Sequence, residues 1–196
     1  MTSTAVPSGE TRAGRLDRNI VWGVAVIESF EGKSPRVHPT AFVSEFAHVV
    51  GDVEIGEGSS VWPGARVTAE NGSITIGKHT NVQDNSVIRG DGDVVIGDRV
   101  VIGHLVSCSA RKVGDRVLLG SGSKISGGVE IGADCLVASG SEVPENTIVP
   151  ALSLVVGTPG RVKGPVPERH TKTIAGLCDS YIEKAQRYKH SGNLES

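Results

Sequence analysis

Aliphatic residues recur at every sixth position along most of the chain, and this spacing dominates its pattern of hydrophobic and polar residues. The register is interrupted by two small insertions, where the spacing grows to nine residues in the segment AENGSIT before Ile76 and to eight in RGDGDVV before Ile96, and by one spacing of five residues. Chance is a poor explanation for such a run. The twenty marked positions are Val37, Val43, Val49, Ile55, Val61, Val67, Ile76, Val82, Ile88, Ile96, Ile102, Cys108, Val113, Leu119, Ile125, Ile131, Val137, Val143, Val149 and Val155.

A period of six predicts an all-β solenoid built from short strands joined at sharp corners. In each unit one aliphatic residue points inward, and the fifth residue is small or β-branched, as at Ala41, Ser59 and Thr80. Three such units close one coil of a triangular prism, and stacked coils pair as parallel strands about 4.8 Å apart. Twenty units therefore predict six to seven triangular coils.

The flanks of the repeat have a different pattern. The solenoid domain is predicted at 19–164, with a strand and lead-in from Ile20 that covers the first coil, after a disordered tail at 1–18. An amphipathic α-helix is predicted at 165–190, before a short tail at 191–196. Its apolar positions, expected to pack along or over the prism, are Ile174, Leu177, Tyr181, Ala185 and Tyr188.

Composition narrows the class of protein. A net charge of −2 and a pI near 6.3 give no reason to expect nucleic acid as a partner. No apolar run is long enough to span a membrane, and the polar N-terminus lacks the apolar region of a secretory signal. The three cysteines fit neither a disulfide framework nor a CxxC metal site, so a cytoplasmic location is expected. Aromatic residues make up only 4% of the chain, so the core must be aliphatic.

Assigning every third unit to the same face brings polar residues of distant segments into columns. The residues that follow the marked positions on one face are Thr68, Arg89, Ser109 and Ser126. On the next face Asp84 and His104 stack one coil apart, around a corner from Arg89 and Ser109. Within one chain His104 would not meet that column, whereas in a trimer of parallel prisms the corner of one subunit could face the column of its neighbour.

At this point the sequence resembles the γ-class carbonic anhydrases, a family of left-handed β-helix proteins, over about residues 33 to 190. The most specific match is TNVQDNSVI at 80–88 followed by IGDRVVIGH at 96–104. Further matches are GKSPRVHPTAFV at 32–43, VWPGA at 61–65 and VVGTPGRV at 155–162. The resemblance implies a left-handed parallel β-helix, a homotrimer, and three interfacial metal sites with three histidines each, one of them from the neighbouring chain.

The metal-ligand positions of the family are altered in this sequence. Carried over residue by residue, they fall on Arg89, His104 and Ser109, so only one imidazole remains. A catalytic zinc needs three protein ligands, and a guanidinium stays protonated and repels a cation. The supporting polar residues of the family are matched by Asn81, Gln83 and Asp84, and the family's RGD motif appears as Thr68, Ala69 and Glu70. We therefore expect no zinc, no cofactor and no carbonic anhydrase activity.

The leading hypothesis is a metal-independent enzyme that acts on a small anionic or acyl substrate at the subunit interface. Arg89 would hold the anion, and His104 would act as general acid or base, oriented by Asp84. Ser109 would donate a hydrogen bond or act as a nucleophile, which makes His104, Ser109 and Asp84 the candidate catalytic residues. The candidate substrate-binding residues are Arg89, Gln83, Asn81, Thr68 and Glu70.

Two other hypotheses stay open. The first is a non-catalytic scaffold or ligand-binding protein, in which Arg89 forms structural ion pairs with Asp84 or Glu70 across the interface. The second is an acyltransferase or thioesterase-like enzyme of the wider hexapeptide superfamily, whose acyl donor would need a basic patch such as Arg161 and Lys163.

Overall fold

The computed structural model describes residues 26–191. The predicted N-terminal tail at 1–18, the first residues of the lead-in and the predicted tail beyond residue 191 lie outside this range. The elements are β1 Val26–Glu28, β2 Arg36–Val37, β3 Phe42–Val43, β4 His48–Ile55, β5 Ser60–Val61, β6 Arg66–Ile76, β7 Asn81–Val82, β8 Val87–Arg89, β9 Val94–Ile96, β10 Val101–Ile102, β11 Ser107–Cys108, β12 Lys112–Val113, β13 Leu118–Leu119, β14 Lys124–Ile125, β15 Glu130–Ile131, β16 Leu136–Val137, β17 Glu142–Val143, β18 Ile148–Val149, β19 Ser153–Gly157, β20 Gly160–Pro165 and α1 Glu168–His190.

The strands form the three faces of a prism. Face A contains β1, the start of β4, the start of β6, β8, β11, β14 and β17, and face B contains β2, the end of β4, the end of β6, β9, β12, β15 and β18. Face C contains β3, β5, β7, β10, β13, β16, β19 and β20. The coils pair in parallel, and about seven turns are stacked, so the predicted left-handed parallel β-helix with a C-terminal helix is confirmed.

The core is the column of aliphatic residues that the six-residue spacing predicts. Every marked position from Val49 to Val155 is buried, and only Val37 and Val43, in the first coil, are partly exposed. Burying a Val or Ile side chain stabilises the fold by roughly 1.5–3 kcal/mol, so the repeat compensates for the low aromatic content.

The small residues at the corners link one coil to the next by hydrogen bonds. Ser86 Oγ donates to the carbonyl oxygen of Gly103 at 2.6 Å and accepts from the backbone N–H of Val106 at 3.0 Å. Ser59 and Thr80 make the same pair of bonds one corner column away. A larger side chain at these buried corners would leave the backbone groups without partners.

The two insertions lie at the corner between faces A and B and do not shift the faces. Strand β6 pairs with β8 through residues 66–68 and with β9 through residues 74–76, so the first insertion spans the corner as continuous strand. One coil further on, Asp93 Oδ1 accepts hydrogen bonds from Ser73 N at 3.0 Å and from Ser73 Oγ at 2.8 Å. The assignment of columns to faces made from the sequence is therefore confirmed.

The C-terminal helix lies along face C, against β3, β5, β7 and β10. It begins at Glu168, because residues up to Pro165 form β20, which pairs antiparallel with β19. Its buried side chains are Ile174, Cys178 and Ala185.

The aromatic residues of the helix serve packing. Tyr181 and Tyr188 meet the Trp62 ring edge-on, with centroids 5.3 Å and 5.4 Å away, and Phe42 completes the cluster. Lys184 Nζ lies 4.4 Å from the Trp62 ring centroid, within the range of a cation–π contact. This cluster holds the helix on the first coils of the prism.

Candidate functional site

The column predicted on face A is present. Thr68 on β6 lies opposite Arg89 at the end of β8, and the backbone N–H of Ser109 bonds to the next coil at Ile125. Thr68 is buried, Ser109 is half-buried and Arg89 is exposed. A guanidinium and two hydroxyl groups from three successive coils therefore face the same side of the prism.

These residues line a broad depression of about 670 Å³ at the border of faces A and B. Its wall also includes Arg66 and the exposed carboxylates of Glu70, Asp91 and Glu145. A planar guanidinium with several N–H donors suits a carboxylate or phosphate group, and nearby hydroxyls add further donors. The depression can thus hold a small polar ligand that carries a negative charge.

The predicted pair of Asp84 and His104 is present at the corner between faces C and A. His104 Nδ1 lies 3.2 Å from Asp84 Oδ2, and the His104 side chain is 48% exposed. Asp84 lies one coil below, where its backbone carbonyl accepts the N–H of Leu105 at 3.1 Å. The carboxylate lies beside Nδ1 without the alignment of a hydrogen bond, and Nε2 stays available for proton transfer.

Asn81 and Gln83 lie on face C, under the C-terminal helix. Gln83 Nε2 donates to Asn81 Oδ1 at 3.0 Å. Asn81 is only 2% exposed, and its Nδ2 has no hydrogen-bond partner among the described residues. Within one chain Asn81 therefore contacts Gln83, and Gln83 lines the cleft of His104.

The sequence analysis did not assign Tyr181 to the site. Tyr181 and Leu177 of the helix line the same cleft as Gln83 and His104. Burial raises the pKa of the Tyr181 hydroxyl, and the negative charge of Asp84 raises it further. The helical spacing predicts that Tyr181 faces inward, but only the packing of the helix on face C shows that it lines the same cleft as the histidine.

The two groups of residues do not meet within one chain. Arg89 and Ser109 line the depression between faces A and B, whereas His104 and Gln83 line the cleft between face C and the helix. Face A separates them. This is the arrangement expected from assigning the units to faces, and each group is open to a neighbouring molecule.

Apolar side chains are exposed on the corner that carries His104. Leu105, the next residue, is 65% exposed, and Phe46, on the same corner near the first coil, is 57% exposed. Other coils have Gly64, Asn85 or Gly122 at the corresponding corner position. Leu105 and Phe46 lie three coils apart, and large apolar residues are also exposed elsewhere on the prism, as at Ile148 on face B and Leu152 at the corner between faces B and C.

Comparison with known proteins agrees with this architecture. Residues 112–145 match the family model described as bacterial transferase hexapeptide (six repeats). Gamma carbonic anhydrase 2, mitochondrial, from Arabidopsis thaliana is 33% identical over 162 residues, which cover 79% of this chain and 58% of that protein. The chain thus spans less than two thirds of the length of this plant relative.

A carbonic anhydrase from Geobacillus kaustophilus is 31% identical over 166 residues, covering 84% of this chain and 91% of that protein. The crystal structure of a hexapeptide transferase family protein from Anaplasma phagocytophilum matches with a TM-score of 0.78 at 30% identity, covering 83% of this chain and 98% of the other. The chain therefore belongs to the γ-carbonic anhydrase-like family of hexapeptide-repeat proteins. Within residues 26–191, the helix is not long and apolar enough to cross a membrane.

Three positions of this chain correspond to the metal ligands of the family, and their side chains do not suit a zinc ion. Arg89 provides a permanent positive charge, Ser109 provides a neutral hydroxyl, and His104 provides a single imidazole. Cys108, next to Ser109, points into the core, where burial raises the pKa of its thiol to about 11. A protonated thiol inside the prism cannot replace a missing ligand.

Proposed function

We propose that this chain forms a homotrimer with a metal-independent site at each subunit interface, which acts on a small anionic or acyl substrate. The observation that carries the proposal is the placement of two incomplete groups of polar residues on opposite borders of face A. In a trimer with parallel axes, the corner with His104 and Asp84 of one protomer faces the column with Arg89 of the next. Leu105, next to His104, is 65% exposed and would be covered by such a contact.

In the proposed site each residue has a distinct role. Arg89 binds the anionic group of the substrate, while Thr68 and Ser109 donate hydrogen bonds from their hydroxyls. His104 of the adjacent protomer transfers a proton through Nε2, with Asp84 holding the ring through Nδ1. Proton transfer by a positioned side chain typically contributes about 10²–10⁴-fold to the rate.

The remaining candidate residues support these groups. Gln83 borders the histidine and is held by Asn81, and Glu70 lies at the edge of the depression that contains Arg89. Tyr181, on the helix, lines the cleft that contains His104. Residues that are already in place around the imidazole before the substrate arrives lower the cost of reaching a reactive geometry.

A hexapeptide acyltransferase is the second candidate function. The relative from Anaplasma phagocytophilum, named a hexapeptide transferase family protein, is matched over 98% of its length. In this alternative, Arg161 and Lys163 on β20 provide the basic patch for an acyl donor. If the Arg89→Ala variant described below transferred an acyl group to an acceptor as fast as the parent protein, this second function would be favoured.

The metal-independence is tested by elemental analysis of the purified trimer together with a CO2-hydration assay. We expect zinc far below one ion per protomer and no hydration above background, because a guanidinium and a hydroxyl replace two imidazoles. Stoichiometric zinc with hydration activity would contradict the proposal.

The roles of the charged residues are tested with Arg89→Ala and His104→Ala. In a screen of small carboxylates and acyl esters, Arg89→Ala should lose ligand binding, whereas His104→Ala should bind ligand and lose turnover by about 10²-fold or more. Arg36→Ala, on face B, changes the net charge equally and should match the parent protein. Turnover unchanged in His104→Ala would contradict the enzyme proposal, and a parent protein that neither binds nor turns over any compound would favour a scaffold.

A further inference from the structure

The arginines of the solenoid differ in a way that points to a ligand. Between residues 26 and 157 there are six arginines, and four of them form ion pairs with carboxylates. Arg66 and Arg89 alone among these six have no carboxylate oxygen within 4.0 Å in the described part of the chain. Both line the depression on face A.

The positions of Arg66 and Arg89 allow both guanidinium groups to reach one ligand. Arg66 lies opposite Val87 and Thr68 lies opposite Arg89, so the two arginines are diagonal neighbours on adjacent strands. Two residues along a strand and one strand spacing separate their Cα atoms by roughly 8 Å. Thr68, between Arg66 and Arg89, adds a hydroxyl at the same surface.

The same depression contains three carboxylates that also lack ion pairs within the described residues. Glu70 and Asp91 follow Thr68 and Arg89 into the corner between faces A and B, and Glu145 borders the depression several coils away. Opposite charges thus line one depression without meeting. The guanidinium groups start from the strands of face A, and the carboxylates start from its corner.

We propose that the ligand of this depression is a small zwitterion, whose anionic group binds between Arg66 and Arg89 and whose cationic group faces Glu70 and Asp91. The inference rests on the proposed function and names the charge type of its substrate. It also assigns Arg66 as a second anion-binding residue. A zwitterion gives both sets of charges a partner, whereas a dianion would satisfy the arginines and face three carboxylates.

The solenoid explains why two arginines can be held apart from these acids. Strand residues project from a flat, rigid face, whereas Glu70 and Asp91 lie in the stacked insertions, which hydrogen bonds from Ser73 to Asp93 fix at the corner. The guanidinium groups and the carboxylates thus start from different parts of the backbone, and a ligand with charges at both ends can contact both sets.

The experiment compares unbranched ω-amino carboxylates of increasing length with the alkanoates of the same length, by calorimetric titration of the full-length protein. We expect the best amino carboxylate to bind at least about tenfold more tightly than its alkanoate. Arg66→Ala should weaken both ligands, and the double variant Glu70→Gln/Asp91→Asn should remove only the advantage of the amino group. Arg36→Ala, whose guanidinium pairs with Asp52 and Glu54 away from this depression, is the matched control and should leave both affinities unchanged.

The outcomes separate this inference from the proposed function. Equal affinity for the amino carboxylates and the alkanoates would contradict the proposal that the ligand is a zwitterion, and so would tighter binding of a dicarboxylate such as succinate. Either result would leave the proposed anionic site at Arg89 in place. If Arg66→Ala bound both kinds of ligand with unchanged affinity, Arg66 would not be an anion-binding residue. If no carboxylate of any series bound to the parent protein, both the inference and the proposed anionic site would be contradicted.

Discussion

Leu105 has an unusual backbone conformation for a bulky residue. Its φ is +57°, in the left-handed region that glycine adopts without cost, and its side chain is largely exposed beside His104. The neighbouring coils have Asn85 and Gly122 at this corner position, both with positive φ. A non-glycine residue pays about 1–2 kcal/mol for this conformation. Other corners of the solenoid have such residues as well, including Arg99, Arg116 and Leu152, so the conformation belongs to the fold and the exposed side chain of Leu105 is what an interface at this corner would use.

The first prediction concerns this residue. Leu105→Gly should relieve the backbone strain and change the free energy of unfolding of one chain by no more than about 1 kcal/mol, while it weakens trimer formation. Sedimentation velocity over a dilution series measures the second effect. Leu152→Gly is the matched control, since Leu152 has a φ of +63°, is 61% exposed and lies at the corner between faces B and C. If both variants dissociated equally, the corner with His104 would not be the contact.

At the scale of the elements, stacked glycines set how closely the coils of face B approach one another. Gly97 and Gly114 follow the inward residues of β9 and β12, where the chain turns out of the face. A Cβ at Gly114 would lie 2.6 Å from the backbone nitrogen of Ala133 and 2.8 Å from the carbonyl carbon of Gly132. The backbone of the next coil cannot yield as a flexible side chain would, so these positions are restricted to glycine by contact.

Gly114→Ala should therefore lower the free energy of unfolding by roughly 1–3 kcal/mol, the usual cost of overpacking. Gly127→Ala is the control, because no atom lies within 4 Å of its added Cβ and its φ is outside the left-handed region. It should leave stability unchanged or raise it by about 0.4–1 kcal/mol. Urea titration measures both variants, and equal midpoints would show that the coils are not in close contact at this corner.

At the scale of the whole molecule, the sequence predicts the solenoid well because the six-residue period specifies every inward residue. It also predicts the columns of Arg89 with Ser109 and of Asp84 with His104, since one coil always contains three units. The period says nothing about how outward residues pair. The proposed role of Arg66 therefore required the ion pairs of the other arginines, and the place of Tyr181 in the cleft of His104 required the packing of the helix on face C.

The first residue of the helix is another feature that the sequence does not predict. Its apolar spacing predicts a helix but does not distinguish its first residues from the strand β20, because the pairing of β20 with β19 depends on contacts made after the last coil. The sequence likewise predicts which side chains are available to the site. The distance between Arg89 of one copy and His104 of another depends on how copies of the chain assemble.

The composite site is tested most directly by cross-linking two variants, Arg89→Cys and His104→Cys, with a short bismaleimide after co-expression with different tags. The native cysteines Cys108, Cys135 and Cys178 are buried and should not compete. The account predicts a cross-linked pair that carries both tags when the variants are co-expressed, and no cross-linked pair from either variant alone. A trimer that yields no mixed pair, or a protein that remains monomeric, would contradict the placement of the site between subunits.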